Sequence, residues 1–247
     1  MVRRAFTLIE LLVVVAIIAL LLSILAPSLR RAKAITRSVV CRANLHQMQV
    51  AMLQYVHNYK GGIFQYNLTF DTFWVNHLRR FYSAVDNIRF CPNATVEGYC
   101  MGGYKTAWTG KNMNPNDATR WMYNGVRYIN GSYGFNAWLH PGDPTYYYGD
   151  IQYIQVPSLV PVFLDCNWVD GWVSDTDGPP PDLLGSITVP NLARFAIIRH
   201  GYSINGVFFD GTARNIRLDT LFQIQWHRSF KVGATLVLPP SPVDLEE

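Results

Sequence analysis

The chain has 247 residues, of which 49% are apolar and only 15% charged, against about 25% charged in an average soluble domain. This excludes a disordered chain, which needs low hydrophobicity and high net charge, and a single long apolar stretch excludes a multi-pass membrane protein. The net charge of +4 is too small and too scattered to signal nucleic-acid binding.

From Leu11 to Leu29 there is no charged residue. As a helix these residues rise about 28 Å, close to the ~30 Å thickness of membrane hydrocarbon. A cleaved secretory signal fits poorly, because its apolar region spans about 7–15 residues and ends at a small-x-small site. Here the nearby Ala32-Lys33-Ala34 lies beyond Arg30 and Arg31. A plain anchor leaves Glu10 unexplained, since a carboxylate in hydrocarbon costs roughly 2.5–3.5 kcal/mol on insertion scales and intramembrane acids usually have a partner. A free amine created by a cut just before Phe6 would supply one, in the same helix or on a neighbouring chain.

The run Arg3-Arg4-Ala5-Phe6-Thr7-Leu8-Ile9-Glu10 and the apolar stretch after it resemble the class III signal of type IV pilins and type II secretion pseudopilins. The resemblance implies cleavage by a prepilin peptidase between Ala5 and Phe6, methylation of the new Phe6 amine, and an assembly role for Glu10. Pro27 matches the proline that breaks the family's N-terminal helix, and Ala5 stands where the family most often has Gly. Proline removes one helical hydrogen bond, so a kink or local melting is expected at Pro27. Loss of residues 1–5 takes Arg3 and Arg4 with it and leaves a side-chain charge of +2. Positive residues flank both ends of the apolar run, so charge alone does not orient it. The resemblance implies a single-pass inner-membrane protein with a cytoplasmic N-terminus and a periplasmic head, later carried in a periplasmic or surface filament.

From Ser28 to Tyr59 the spacing predicts helix, with Leu45, Met48, Met52, Tyr55, Val56 and Tyr59 in one apolar stripe and Gly61-Gly62 as its stop. The stripe suits packing on the protein's own sheet. The segment from Cys41 to Met48, with Tyr55 and Gly61, resembles a bacterial subfamily of large pseudopilin-like proteins that carry a C-terminal His-x9-Asp-Gly signature. Here that signature is His200, Asp210 and Gly211.

Beyond residue 90 short β-rich runs are expected at Val126–Ile129, Tyr146–Tyr148, Ile151–Val156, Val160–Leu164, Phe195–Ile198 and Ile204–Phe209. Asp210-Gly211 between Ile204–Phe209 and Ala213–Leu218 is a hairpin signal, and residues 71–82 suit one further short helix. The fold class is therefore α+β, a pilin-like lollipop whose antiparallel sheet lies on the second half of a long helix. Its divisions are a leader at 1–5, an assembly helix at 6–29, an amphipathic stem at 30–60 and a loop-rich head at 61–247.

Cys41, Cys91, Cys100 and Cys166 suit disulfides if the head lies outside the inner membrane. Three pairings are open, and a Cys41–Cys91 bridge would pin head to stem. No Cys-x2-Cys pair occurs, which argues against zinc. Asp165, Asn167, Asp170, Asp175, Asp177 and Asp182 are close enough in sequence either to cage Ca²⁺, which takes 6–8 oxygens, or to form a solvated acidic loop. No cofactor is otherwise required. His200 and Asp210 invite a catalytic dyad, but no recognised nucleophile motif accompanies them. A structural role, with Asp210 starting a turn and His200 bonding a nearby loop, is the preferred reading.

These features describe a non-enzymatic filament subunit whose partners are the prepilin peptidase, other pilin or pseudopilin subunits, an inner-membrane assembly platform and membrane lipid. A minor tip subunit or adhesin that recognises a substrate remains an alternative, as does a membrane-anchored enzyme using His200 and Asp210.

Overall fold

The computed structural model describes residues 8–65, 74–83, 85–96, 102–112, 121–123, 126–185 and 189–240. The chain begins with α1 (Leu8–Asn58), which runs as one helix through Pro27, so the helix does not melt there. Proline costs only its own amide bond and a clash one turn back. The neighbouring serines turn inward onto the helix, Ser23 Oγ donating to Leu20 O at 2.7 Å and Ser28 Oγ to Leu25 O at 2.8 Å. The assembly and stem segments are thus one continuous element. It ends where expected: Lys60 and Gly61 adopt φ of 54° and 98°, and Gly61 N–H donates to Val56 O at 2.9 Å. Glycine suits this left-handed exit because it carries no Cβ.

After the short helix α2 (Trp74–Leu78) the described residues of the head form two sheets. Strands β1 (Trp108–Asn112), β2 (Trp121–Tyr123) and β3 (Val126–Gly131) form a small antiparallel sheet in the order β1-β3-β2. The larger sheet comprises β4 (Tyr133–Asn136), β5 (Pro161–Asp165), β6 (Asp170–Gly171), β7 (Ser203–Phe208) and β8 (Ala213–Arg217), in the order β6-β4-β5-β7-β8. Only the β4–β6 pair is parallel. The arrangement is an α+β lollipop, a long helix with a mostly antiparallel sheet as its head.

The sheet separates two cores because side chains alternate along each strand. Phe163 and Val207 join the core shared with Leu45, Met48, Met52, Tyr55 and Val56 of α1. Leu164, Ile204 and Phe208 face a second core with Phe195, Ile197, Leu221 and Trp226. The predicted stripe is therefore the packing face of α1, lengthened toward the N-terminus by the fully buried Cys41. Each larger side chain buried there contributes about 1.5–3 kcal/mol.

Three expected strands are not strands. Tyr146–Tyr148 lies in a turn, with the Tyr146 and Tyr147 amides both donating to Asp143 O. Ile151–Tyr153 is a 3-10 turn capped by Asp150, whose side chain accepts from Gln152 N–H. Phe195–Ile198 is buried on all sides, and its amides return to Phe195, Leu192 and Leu183 carbonyls rather than to a strand. A short buried apolar run has the same composition in either setting. Of the helix expected at 71–82, α2 and a 3-10 turn at Arg79–Tyr82 are present; residues 71–73 lie outside the described set.

Candidate functional site

The first half of α1 emerges from the head uncovered. Leu11, Leu12, Val13, Val14 and Val15 are consecutive and each 46–59% exposed, so the helix is apolar around its whole circumference rather than along one stripe. No described residue buries this window, and it is long and apolar enough to cross a membrane. A helix greasy on every side needs an apolar surrounding, either lipid or a bundle of like helices. Glu10 sits in the first turn, where a carboxylate complements the positive end of the helix dipole. Ala5 and Phe6 lie outside the described residues.

The signature residues His200 and Asp210 flank β7 and take separate partners. Asp210 Oδ1 accepts from Thr212 N–H at 2.9 Å and from Thr212 Oγ1 at 2.7 Å, closing the β7–β8 turn. Gly211 occupies its left-handed position at φ 88°. The Gly211 carbonyl meets His46 Nδ1 of α1 at 2.9 Å, which docks the hairpin on the helix.

His200 reaches inward. Its Nε2 lies 3.2 Å from Cys91 Sγ and 3.3 Å from Asp165 Oδ2, and its Nδ1 lies 3.2 Å from Asn93 Nδ2. Cys41 Sγ approaches Asp165 Oδ2 at 3.7 Å. Burial alone depresses the imidazole, but its hydrogen bonds to Asp165 and Cys91 and the Asp165 charge outweigh this and raise its pKa to about 10. Burial pushes Asp165 up, and His200, Arg199 and the Asn205 N–H together hold it below the usual carboxylate range.

Arg199 is the residue that sequence reasoning missed. Its side chain is fully enclosed and lies 3.4 Å from Asp165 Oδ1. It also donates to the Ser132, Cys166, Gly103, Thr106 and Tyr104 carbonyls. One guanidinium thus ties the 103–106 loop to the end of β5. Its place directly before His200 in an apolar run was the available signal, because a charge there must either break the run or be paired inside it.

The expected acidic cage is dispersed. Asp165 belongs to the His200 and Arg199 cluster, and Asn167 Nδ2 donates to Gly185 O at 2.9 Å. Asp170 pairs with Arg194 at 3.3 Å. Asp175 faces His227 at 3.9 Å, and Asp177 accepts from Ser174 and Leu192 amides. Asp182 accepts from the Leu184 amide. These six side chains are spent on separate loop contacts. Cys41, Cys91 and Cys166 are free thiols, so no disulfide joins them, the Cys41–Cys91 bridge included; Cys100 lies outside the described residues. The calcium expectation rests on sequence spacing, which fixes neither partner nor depth, and the disulfide expectation rests on the compartment, which does not pair the thiols.

Residues 1–26 match a family model described as the prokaryotic N-terminal methylation motif. No curated protein and no solved structure matches the chain. The motif points to a structural, pilin-like protein processed by a prepilin peptidase and assembled with other pilin subunits. The motif together with the uncovered apolar helix fits a type IV pilin or pseudopilin.

Proposed function

We propose that the chain is a structural subunit of a type IV pilus-like or type II secretion pseudopilus filament. Cleavage between Ala5 and Phe6 and methylation of Phe6 would release a mature helix. That helix would wait in the inner membrane, head in the periplasm, until an assembly platform extracts it into a bundle. The observation that carries this reading is the uneven burial of α1: the head covers the helix from Cys41 onward and leaves the apolar N-terminal half bare. Lipid covers such a surface before assembly, and neighbouring helices cover it afterwards. Glu10 paired with the Phe6 amine of a neighbour would set the register, since an unpaired charge in that bundle is costly.

Mass spectrometry of the N-terminus of the chain isolated from membranes tests the proposal. A methylated Phe6 is expected. An intact Met1, or a start beyond Ala34, would overturn it.

A further inference from the structure

Four metal-ligating side chains converge where α1 enters the head. Cys41 comes from α1 and Cys91 from the loop after the 3-10 turn Asp86–Arg89. Asp165 ends β5, and His200 precedes β7. One ligand atom from each lies within 4.8 Å of all the others, the sole such group of three or more His, Cys, Asp or Glu side chains among the described residues. Exposure of the Cys41 and Asp165 residues is 0%, that of Cys91 is 1%, and that of the His200 side chain is 4%.

We propose that Cys41, Cys91, Asp165 and His200 form a tetrahedral site for one zinc-class divalent cation. The geometry supports this directly. With Zn–S near 2.3 Å and Zn–N and Zn–O near 2.0–2.2 Å, tetrahedral ligand atoms stand about 3.3–3.8 Å apart. The distances here are 3.2 Å for Cys91 Sγ to His200 Nε2, 3.3 Å for His200 Nε2 to Asp165 Oδ2, and 3.7 Å for Cys41 Sγ to Asp165 Oδ2. Two thiolates and an imidazole suit zinc rather than calcium or magnesium, which take oxygen.

The surroundings hold these groups in place. Asp165 turns Oδ2 toward the cluster and Oδ1 toward Arg199, and Asn205 N–H fixes the carboxylate at 2.8 Å. The Tyr133 hydroxyl donates to Cys41 Sγ at 3.3 Å, and Cys91 N–H donates to Ser132 Oγ at 2.5 Å. Charge balances as well. Binding releases three protons to solvent, one from each thiol and one from the His200 imidazolium, after which two thiolates and the Asp165 carboxylate are offset by the dication and the Arg199 guanidinium. Ligation through Nε2 leaves the proton on His200 Nδ1, so the Asn93 Nδ2 that faces it at 3.2 Å, and donates to Arg199 O at 3.0 Å, would have to shift away from the ring on binding.

Four protein ligands leave no open position, and such closed sites are structural. The cation would clamp α1 to the head at Cys41, the first fully buried residue of the helix. The absence of a Cys-x2-Cys pair does not count against the site, because its ligands are brought together by the tertiary fold. The competing arrangement is a Cys41–Cys91 disulfide beside an Asp165–His200 ion pair. None of this depends on the filament reading.

The test uses the full chain, purified in detergent micelles under anaerobic reducing conditions and loaded with zinc or with cobalt. One zinc per chain is expected by elemental analysis. Cobalt is expected to give a thiolate-to-metal charge-transfer band and the intense visible bands of tetrahedral coordination. Cys91→Ser and His200→Ala should each weaken binding by at least about tenfold, while Cys166→Ser, outside the cluster, should bind as the parent chain does. If either ligand variant fails to fold, the cobalt spectrum of the parent chain decides alone. A parent spectrum without the thiolate band overturns the proposal, as does undiminished binding by either folded ligand variant. So does a Cys41–Cys91 disulfide in zinc-free protein isolated anaerobically.

Discussion

Asn205 of β7 reaches across to Ser38 of α1, its Nδ2 donating to Ser38 Oγ at 3.1 Å. Asn205 is fully buried, and its amide N–H is committed to Asp165 Oδ2. The contact lies at the level where α1 passes from exposed to covered, so it joins the stem part of α1 to the sheet by a polar link rather than by the apolar stripe. Replacing Asn205 with Leu deletes this link and leaves Ser38 facing an apolar group. A loss of about 1–3 kcal/mol is expected, read by urea unfolding of the full chain in micelles. Ser38→Ala should cost less, because Asn205 also contacts Asn215. The two substitutions should be non-additive, since they remove the same bond.

Glu10→Ala should leave cleavage and methylation at Phe6 intact and abolish filament assembly. The carboxylate lies at the exposed tip of α1, remote from the head, so head stability should not change. Sedimentation of filaments and mass analysis of the N-terminus separate the two effects. Normal filaments from this variant would remove the pairing role while leaving processing untouched.

The Asp-Gly half of the signature behaves as turn chemistry. Asp210→Ala removes an acceptor used twice by Thr212 and should cost about 1 kcal/mol. Gly211→Ala forces a Cβ into φ 88°, although no neighbouring atom obstructs it, so the cost is conformational and also about 1 kcal/mol. Both should lower the thermal midpoint by similar amounts. A variant that kept full stability at Asp210 would contradict this assignment.

The elements legible in the sequence were those whose pattern is set locally. The apolar run of α1, the Leu45–Val56 stripe, the Gly61 stop and the β7–β8 hairpin each follow from periodicity or turn residues. Strand β4 was missed because all four of its residues are buried, which erases the alternation that marks a strand with one solvent face. The cluster at His200 was half legible. Its histidine stood out, but Asp165 and Cys41 are 35 and 159 positions away, and only the packing of α1 on β5 and β7 brings them to it. Asp165 was read as part of an acidic loop because its sequence neighbours are acidic, whereas its spatial neighbours are a guanidinium and an imidazole.

His140 makes the head acid-sensitive in a defined window. The ring is buried against Phe64 and Phe135, with centroids 5.2 and 5.0 Å away, and its Nδ1–H donates to the Phe64 carbonyl at 2.9 Å. Burial lowers its pKa from 6.5 to about 4, because the imidazolium would lose its water, and the neighbouring His77 opposes the charge further. The folded state therefore favours the neutral ring more than the unfolded chain does. This contribution is fully present above pH 6.5 and is lost progressively as pH falls toward 4, where the unfolded chain has gained a proton that the folded chain still refuses. The full difference corresponds to roughly 3 kcal/mol. His140→Gln keeps a donor for Phe64 and removes the titration. The expected result is lower stability at pH 7, from poorer ring packing, with a shallower decline between pH 6.5 and 4. Urea midpoints across that range check it, and an unchanged slope in the variant would assign the acid sensitivity to another group.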